Sequence, residues 1–173
     1  MTTFIEILEI ILPALLVLIT AYVILSKTIK NDQDRRRQEA ALQNVKLVTP
    51  VKLQAYERMV LLLERISPES LVIRVSKADA SAQQLHNALL STIRSEYEHN
   101  LSQQIYMSNE AWQMVNNARN SVVRLINGVA AEIPPTASGA DLSRQIIEAA
   151  LEVDPDPCKM AIDFIKAEVG RMI

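Results

Sequence analysis

An all-α protein is what this sequence predicts, with a single N-terminal transmembrane helix, a helical stalk and a cytoplasmic helical bundle domain. Three observations carry that expectation. Residues 10–25 form a run of 16 without a charge. Hydrophobic residues make up 49% of the chain but aromatics only 4%, a mixture of Leu, Ile, Val and Ala that suits helix-on-helix packing better than strand-rich domains, which use more aromatics. Beyond residue 49, apolar residues recur at spacings of three and four between recognisable cap residues.

The first element is the membrane span, residues 1–26. As a helix the 16-residue run reaches roughly 24 Å, short of the roughly 30 Å hydrocarbon core, so the span recruits residues 4–9. Glu6 and Glu9 then sit near one interface and Tyr22 near the other, where aromatic rings prefer to lie. Pro13 is tolerated near the start of a span. Glu6 and Glu9 share a helix face, but no second polar span completes an ion pathway, so headgroup contact is the simpler reading. No Lys or Arg precedes Lys27, whereas Lys27, Lys30, Arg35, Arg36 and Arg37 follow it. The positive-inside rule then puts the C-terminal side in the cytoplasm and the N-terminus outside. A cleaved signal peptide is not expected, because a basic n-region and a small-x-small site are both missing.

Residues 27–48 form a basic juxtamembrane stalk, in which Asp32 with Arg35 and Arg36, and Asp34 with Arg37, stand at helical pairing distances. The five basic residues clustered at its start, Lys27, Lys30, Arg35, Arg36 and Arg37, are the candidate lipid-contacting groups. The helical core, residues 49–132, opens at Thr49-Pro50, a cap followed by proline at the first helical position. Leu53, Tyr56, Met59, Val60, Leu63 and Ile66 stripe that helix. Ser67-Pro68-Glu69 repeats the start signal, and the conformation of residues 70–76 is open between a helical turn and a lone strand. With no second strand candidate to pair with, the helical turn is preferred.

Ser81 with Gln84 forms a capping box for a long helix in which Leu85, Leu89, Ile93, Tyr97, Leu101 and Ile105 recur every fourth position. That spacing drifts around an α-helix, which predicts a bend near His99-Asn100. Ser108 caps the next helix, whose Ala111, Val115, Ala118, Val122, Leu125 and Val129 make a coiled-coil-like seam, within the chain or across a homo-oligomer. Residues 133–139, rich in Pro and small residues, read as a linker. Residues 140–173 read as a C-terminal hairpin of two helices, at about 140–153 and 157–172, with faces Leu142, Ile146, Ala149, Val153 and Ala161, Ile165, Val169, Met172.

Chemistry is sparse. From residue 49 onward 12 basic residues face 15 acidic ones, so the domain lacks the basic field of a nucleic-acid binder. Cys158 is the only cysteine, so no intramolecular disulfide forms, and no histidine is near it in sequence to activate it. Glu96-x-x-His99 is half of a carboxylate-bridged di-iron motif; His86 is preceded by Gln83, so the second half is missing. Three glycines and no glycine-rich loop leave no phosphate cradle. No catalytic, cofactor-binding or metal residue is assigned. Trp112, with Tyr97 and Tyr106 upstream, is the candidate partner-binding residue.

The stretches Lys52-Leu53-Gln54-Ala55-Tyr56-Glu57-Arg58, Leu63-Glu64-Arg65-Ile66-Ser67-Pro68-Glu69, Glu96-Tyr97-Glu98-His99-Asn100 and Ser108-Asn109-Glu110-Ala111-Trp112 resemble an uncharacterised family of membrane-anchored helical proteins from Bacteroidota. The resemblance runs from the stalk to about Arg144. It implies a single-pass bacterial inner-membrane protein and transfers no activity and no site residues. The expectation is a noncatalytic, membrane-tethered helical protein-interaction or scaffold module, whose partners are the bilayer and an unidentified protein. The alternatives are an enzyme or metal-binding protein using Glu96 and His99, and a sensor of anionic lipid surfaces working through the stalk.

Overall fold

The computed structural model describes residues 2–172, without the side chains of residues 2–14, 34, 38, 40–42, 44 and 45. Among the described residues the chain is helical throughout: α1 Thr2–Ile66, α2 Pro68–Val75, α3 Ala82–Asn100, a 3-10 helix Leu101–Tyr106, α4 Asn109–Glu132, α5 Gly139–Leu151 and α6 Pro157–Met172. It divides into two compact units, residues 1–49 and 50–173.

The first unit belongs to α1 alone. Within residues 15–25 every large apolar side chain is exposed, from Val23 at 42% to Tyr22 at 71%, so the helix is apolar on all sides rather than along one stripe. Three of its hydroxyls bond within the helix. Thr20 Oγ1 donates to the Leu16 carbonyl at 2.7 Å, and Ser26 and Thr28 do the same one turn back. Among the described residues no helix has an apolar run long enough to cross a membrane. The side chains at the start of the expected span, Glu6, Glu9 and Pro13 included, lie outside the description.

Sequence places a helix start at Thr49-Pro50, whereas α1 runs through Pro50 without a break. Pro50 leaves the Lys46 carbonyl without its helical partner, and both residues are exposed, so water can take the freed oxygen. At Ser67-Pro68 the chain does turn. Ser67 has ψ 138°, the extended region that a following proline favours, and Arg74 Nη2 donates at 2.9 Å to the Arg65 carbonyl that the end of α1 leaves open. Ser67 does not cap α2 with its side chain; its hydroxyl donates back to the Glu64 carbonyl at 2.9 Å. The ambiguous segment after it is helical, with Leu71 and Val72 buried.

The second unit is a bundle in which α4 packs against α3, α5 and α6, and α5 also against α2 and α3. Its core joins Met59, Leu62, Leu63 and Ile66 of α1 to Leu71, Leu85, Leu89, Ile93, Ile126, Leu142, Ile146 and Ile165. Each of these side chains contributes on the order of 1.5–3 kcal/mol by leaving water. The capping box Ser81/Gln84 forms in both directions, and Ser108 Oγ accepts from the Ala111 amide at 3.0 Å. The bend expected at His99-Asn100 is a change to 3-10 geometry after Asn100. There the apolar stripe leaves the core: Leu101 is 41% and Ile105 72% exposed.

One other expectation needs correction. The seam on α4 runs Ala111, Val115, Ala118, Val122, Ile126, all buried, while Leu125 and Val129 are half-buried. Successive intervals of four and three follow the α-helical 3.6 period and serve three neighbouring helices of the same chain. A straight heptad seam would serve only one. Of the two C-terminal helices, α5 packs on α2, α3 and α4, and α6 on α4. α6 has the predicted bounds, with Cys158 and Ile162 added to its buried face.

The segment read as a linker is pinned. Gly139 N donates to the Ala80 carbonyl at 2.7 Å, and Ala82 N to the Ala137 carbonyl at 3.1 Å, forming an isolated bridge between Ser81 and Ser138. Helices α3 and α5 therefore start side by side, each under its own capping box, Ser138 with Asp141 being the second. A Cβ on Gly139 would stand 2.8 Å from the Ala80 carbonyl oxygen. The close approach of the two backbones requires glycine at this position.

Candidate functional site

An open groove of about 870 Å³ is bounded by the end of α1, the start of α2, the middle of α4, the end of α5 and the start of α6. Its size lies within the range of about 300–1,000 Å³ typical of ligand pockets. Helix starts and stops build it. α5 ends at Leu151, and Asp156 then opens α6 by accepting from the amides of Cys158 at 2.8 Å and Lys159 at 3.4 Å. Val122, Cys158 and Ile162 on the groove are buried, and Leu125 and Ile147 are half-buried. The lip carries Leu151, 81% exposed, and Val153, 39% exposed. Around it stand Glu64, Glu69, Asp156 and Asp163 with Arg124, Lys159 and Lys166. An apolar floor under a rim of mixed sign suits an amphipathic segment better than a polyanion.

The Cys158 thiol lines this groove in its protonated form. Burial, with the charges of Asp156 and Glu64 behind it, pushes its pKa up to about 12, which leaves it protonated at neutral pH, and only the thiolate attacks. The helix-start position that favours a thiolate is overcome by desolvation.

Glu96 and His99 share a helix but have different surroundings. Glu96 Oε1 takes Arg65 at 2.7 Å and Arg74 at 2.8 Å, tying α1 and α2 to α3. Burial alone would raise its pKa, yet the hydrogen bonds and charges of Arg74 and Arg65 outweigh that and hold it below the ordinary carboxylate range. His99 is exposed. His86 Nε2 lies 2.8 Å from Asn127 Oδ1. Among the described residues no group of three or more His, Cys, Asp or Glu side chains is placed to hold a metal ion.

Trp112 is half-buried against the core. Its ring stacks on Tyr97 with centroids 5.6 Å apart, and the Arg119 guanidinium lies 4.1 Å over the other ring of that pair, Tyr97. The Tyr97 hydroxyl donates to Asn116 Oδ1 at 2.7 Å. A second polar cluster joins three elements: Glu168 accepts from the Tyr56 hydroxyl at 2.6 Å and from Ser108 Oγ at 2.8 Å, while the Ser108 amide donates to the Tyr56 oxygen at 3.2 Å. Burial first, and then Glu168, raises the Tyr56 pKa.

In the stalk, Arg36 Nε pairs with Asp32 and Arg35 Nε with Glu39, both at 2.9 Å and both exposed; Lys27, Lys30 and Arg37 are exposed too. The groove itself escapes a reading by sequence, because its walls come from five helices far apart in the chain. One signal was available. Leu151 stands about 180° around α5 from Leu142, so a core-facing stripe cannot account for it.

A family model described as a family of unknown function, DUF7935, matches residues 2–172. No curated protein and no solved structure matches the chain.

Proposed function

We propose, from the premise that the chain belongs to the DUF7935 family, whose function is unknown, that it is a noncatalytic module tethered to the bacterial inner membrane. Its helical domain holds a protein partner in the groove. The observation that carries the tether is the all-round exposure of apolar side chains at residues 15–25 of α1. A helix apolar on every side is stable where its surroundings are apolar too, and the internal hydrogen bond of Thr20 satisfies a hydroxyl that would otherwise resist such surroundings. The basic residues on its C-terminal side alone orient the domain toward the cytoplasm.

The partner reading follows from the groove. Leu151 and Val153 expose apolar surface at its lip, and tethering raises the local concentration of partners held at the same membrane. Two measurements test the whole. Alkaline extraction of membranes should leave the chain in the pellet, and a reporter fused after Ile173 should work only if it is a cytoplasmic one. A photo-crosslinking residue at Leu151 should give a discrete adduct in intact membranes that the same residue at Ile73, 70% exposed but outside the groove, does not. Release of the chain by alkali sinks the tether, and equal crosslinking at both positions sinks the groove.

A further inference from the structure

We propose that one flank of α1, carrying Lys27, Lys30 and Arg37, binds the headgroups of anionic phospholipids; this rests on the membrane anchor proposed above. At 100° per residue these three positions fall within an arc of about 80°. The acidic residue in that arc by register is Asp34, so the flank sums to +3 − 1 = +2. The opposite flank neutralises itself. Up to residue 39, Arg36 pairs with Asp32 and Arg35 with Glu39, giving +2 − 2 = 0; Lys46 shares this flank but stands about 32 Å beyond Leu25, clear of the headgroups. The helix is electrically one-sided.

Continuity with the apolar stretch says what meets this flank. Lys30 follows Leu25 by about 8 Å of helix rise, which is the depth of the headgroup layer beyond the hydrocarbon. Arg37 stands about 18 Å beyond Leu25, and its side chain leans back, because Cα–Cβ bonds tilt toward the helix N-terminus, here the bilayer side. Cations so placed attract anionic lipid and lose that attraction beyond a Debye length.

The test uses the full chain reconstituted in phosphatidylcholine bilayers, with spin-labelled phosphatidylglycerol or spin-labelled phosphatidylcholine as probe. Electron paramagnetic resonance reads the motionally restricted fraction of each. The wild-type chain should favour the anionic probe at least about threefold, and the preference should fall toward unity in about 1 M salt. The combined Lys27→Gln, Lys30→Gln and Arg37→Gln variant should show no preference. Arg35→Gln with Arg36→Gln should keep most of it, as should the charge-conserving variant with Lys27→Arg, Lys30→Arg and Arg37→Lys. A wild-type chain that resists alkaline extraction yet shows no preference overturns the lipid inference and leaves the anchor standing. A double Arg35/Arg36 variant that loses as much as the triple overturns the assignment to one flank. Release of the chain by alkali overturns the anchor and this inference with it.

Discussion

Replacing Gly139 by alanine should destabilise the domain, although alanine is the better helix former. The added Cβ would stand 2.8 Å from the Ala80 carbonyl oxygen, a backbone atom with no rotamer to change. Overpacking of this kind costs about 1–3 kcal/mol. Relief by moving the two backbone segments apart would stretch the 2.7 Å bond from Gly139 N to Ala80 O, at a further cost of about 0.5–1.5 kcal/mol. Stiffening the unfolded chain returns about 0.4–1 kcal/mol, so the net loss is about 0.5–4 kcal/mol. Gly128 supplies the control: it lies in the interior of α4 with nothing within 4 Å of an added Cβ, so Gly128→Ala should stabilise by about 0.5–1 kcal/mol. Urea unfolding of the full chain in detergent, followed by circular dichroism, measures both. Shifts of the same sign at the two glycines would refute the close-approach argument.

The corrected face of α4 makes Ile126→Ala cost about 2–5 kcal/mol and Leu125→Ala distinctly less, by the same unfolding measurement; the reverse order would put the wrong residue in the core. Glu96 has its pKa held low in the fold, so its contribution is present above the unfolded carboxylate pKa and is lost as pH falls through the folded one. Glu96→Gln should therefore be less stable than wild type by about 1–2 kcal/mol at neutral pH, with a gap that narrows in acid titrations; a gap constant between pH 7 and pH 3 would contradict the ion-pair account. Cys158, with its pKa pushed up to about 12, should resist thiol reagents at pH 8 until the domain is unfolded in urea, and fast labelling of the native chain would show that the groove floor is open. As its folded pKa is raised, the stability linked to this thiol is intact below its unfolded pKa of about 9 and declines as pH climbs toward the folded value.

Local signals were legible to the residue. Ser81 and Ser108 cap the helices they precede, and α6 starts at Pro157, because a side chain satisfying its own helix end depends on three or four neighbours in sequence. What needed the fold was any choice settled by distant atoms. Pro50 and Pro68 have similar neighbours, yet only Pro68 begins a helix, since Arg74 closes the end of α1 there. The choice of Ile126 over Leu125 depends on α4 facing three helices rather than one. Ser138 and Asp141 fit a capping-box signature, but the Pro-rich segment before them draws attention to a linker. Of the candidate site, Cys158 is legible in the sequence and the groove around it is not, because Glu64, Leu125, Ile147 and Ile162 become neighbours only through packing.

The backbone bridge at Ser81 and Ser138 reverses the usual guide to where this chain can be cut or lengthened. Composition marks residues 133–139 as spare connection, yet Ala137 and Gly139 hold the Ala80–Ala82 backbone by two hydrogen bonds. An inserted tag or protease site there would pull apart two helix starts at once. The exposed 3-10 turn around Gln104, which contacts the end of α3 beside it, is the better place for a label, a cleavage site or new termini.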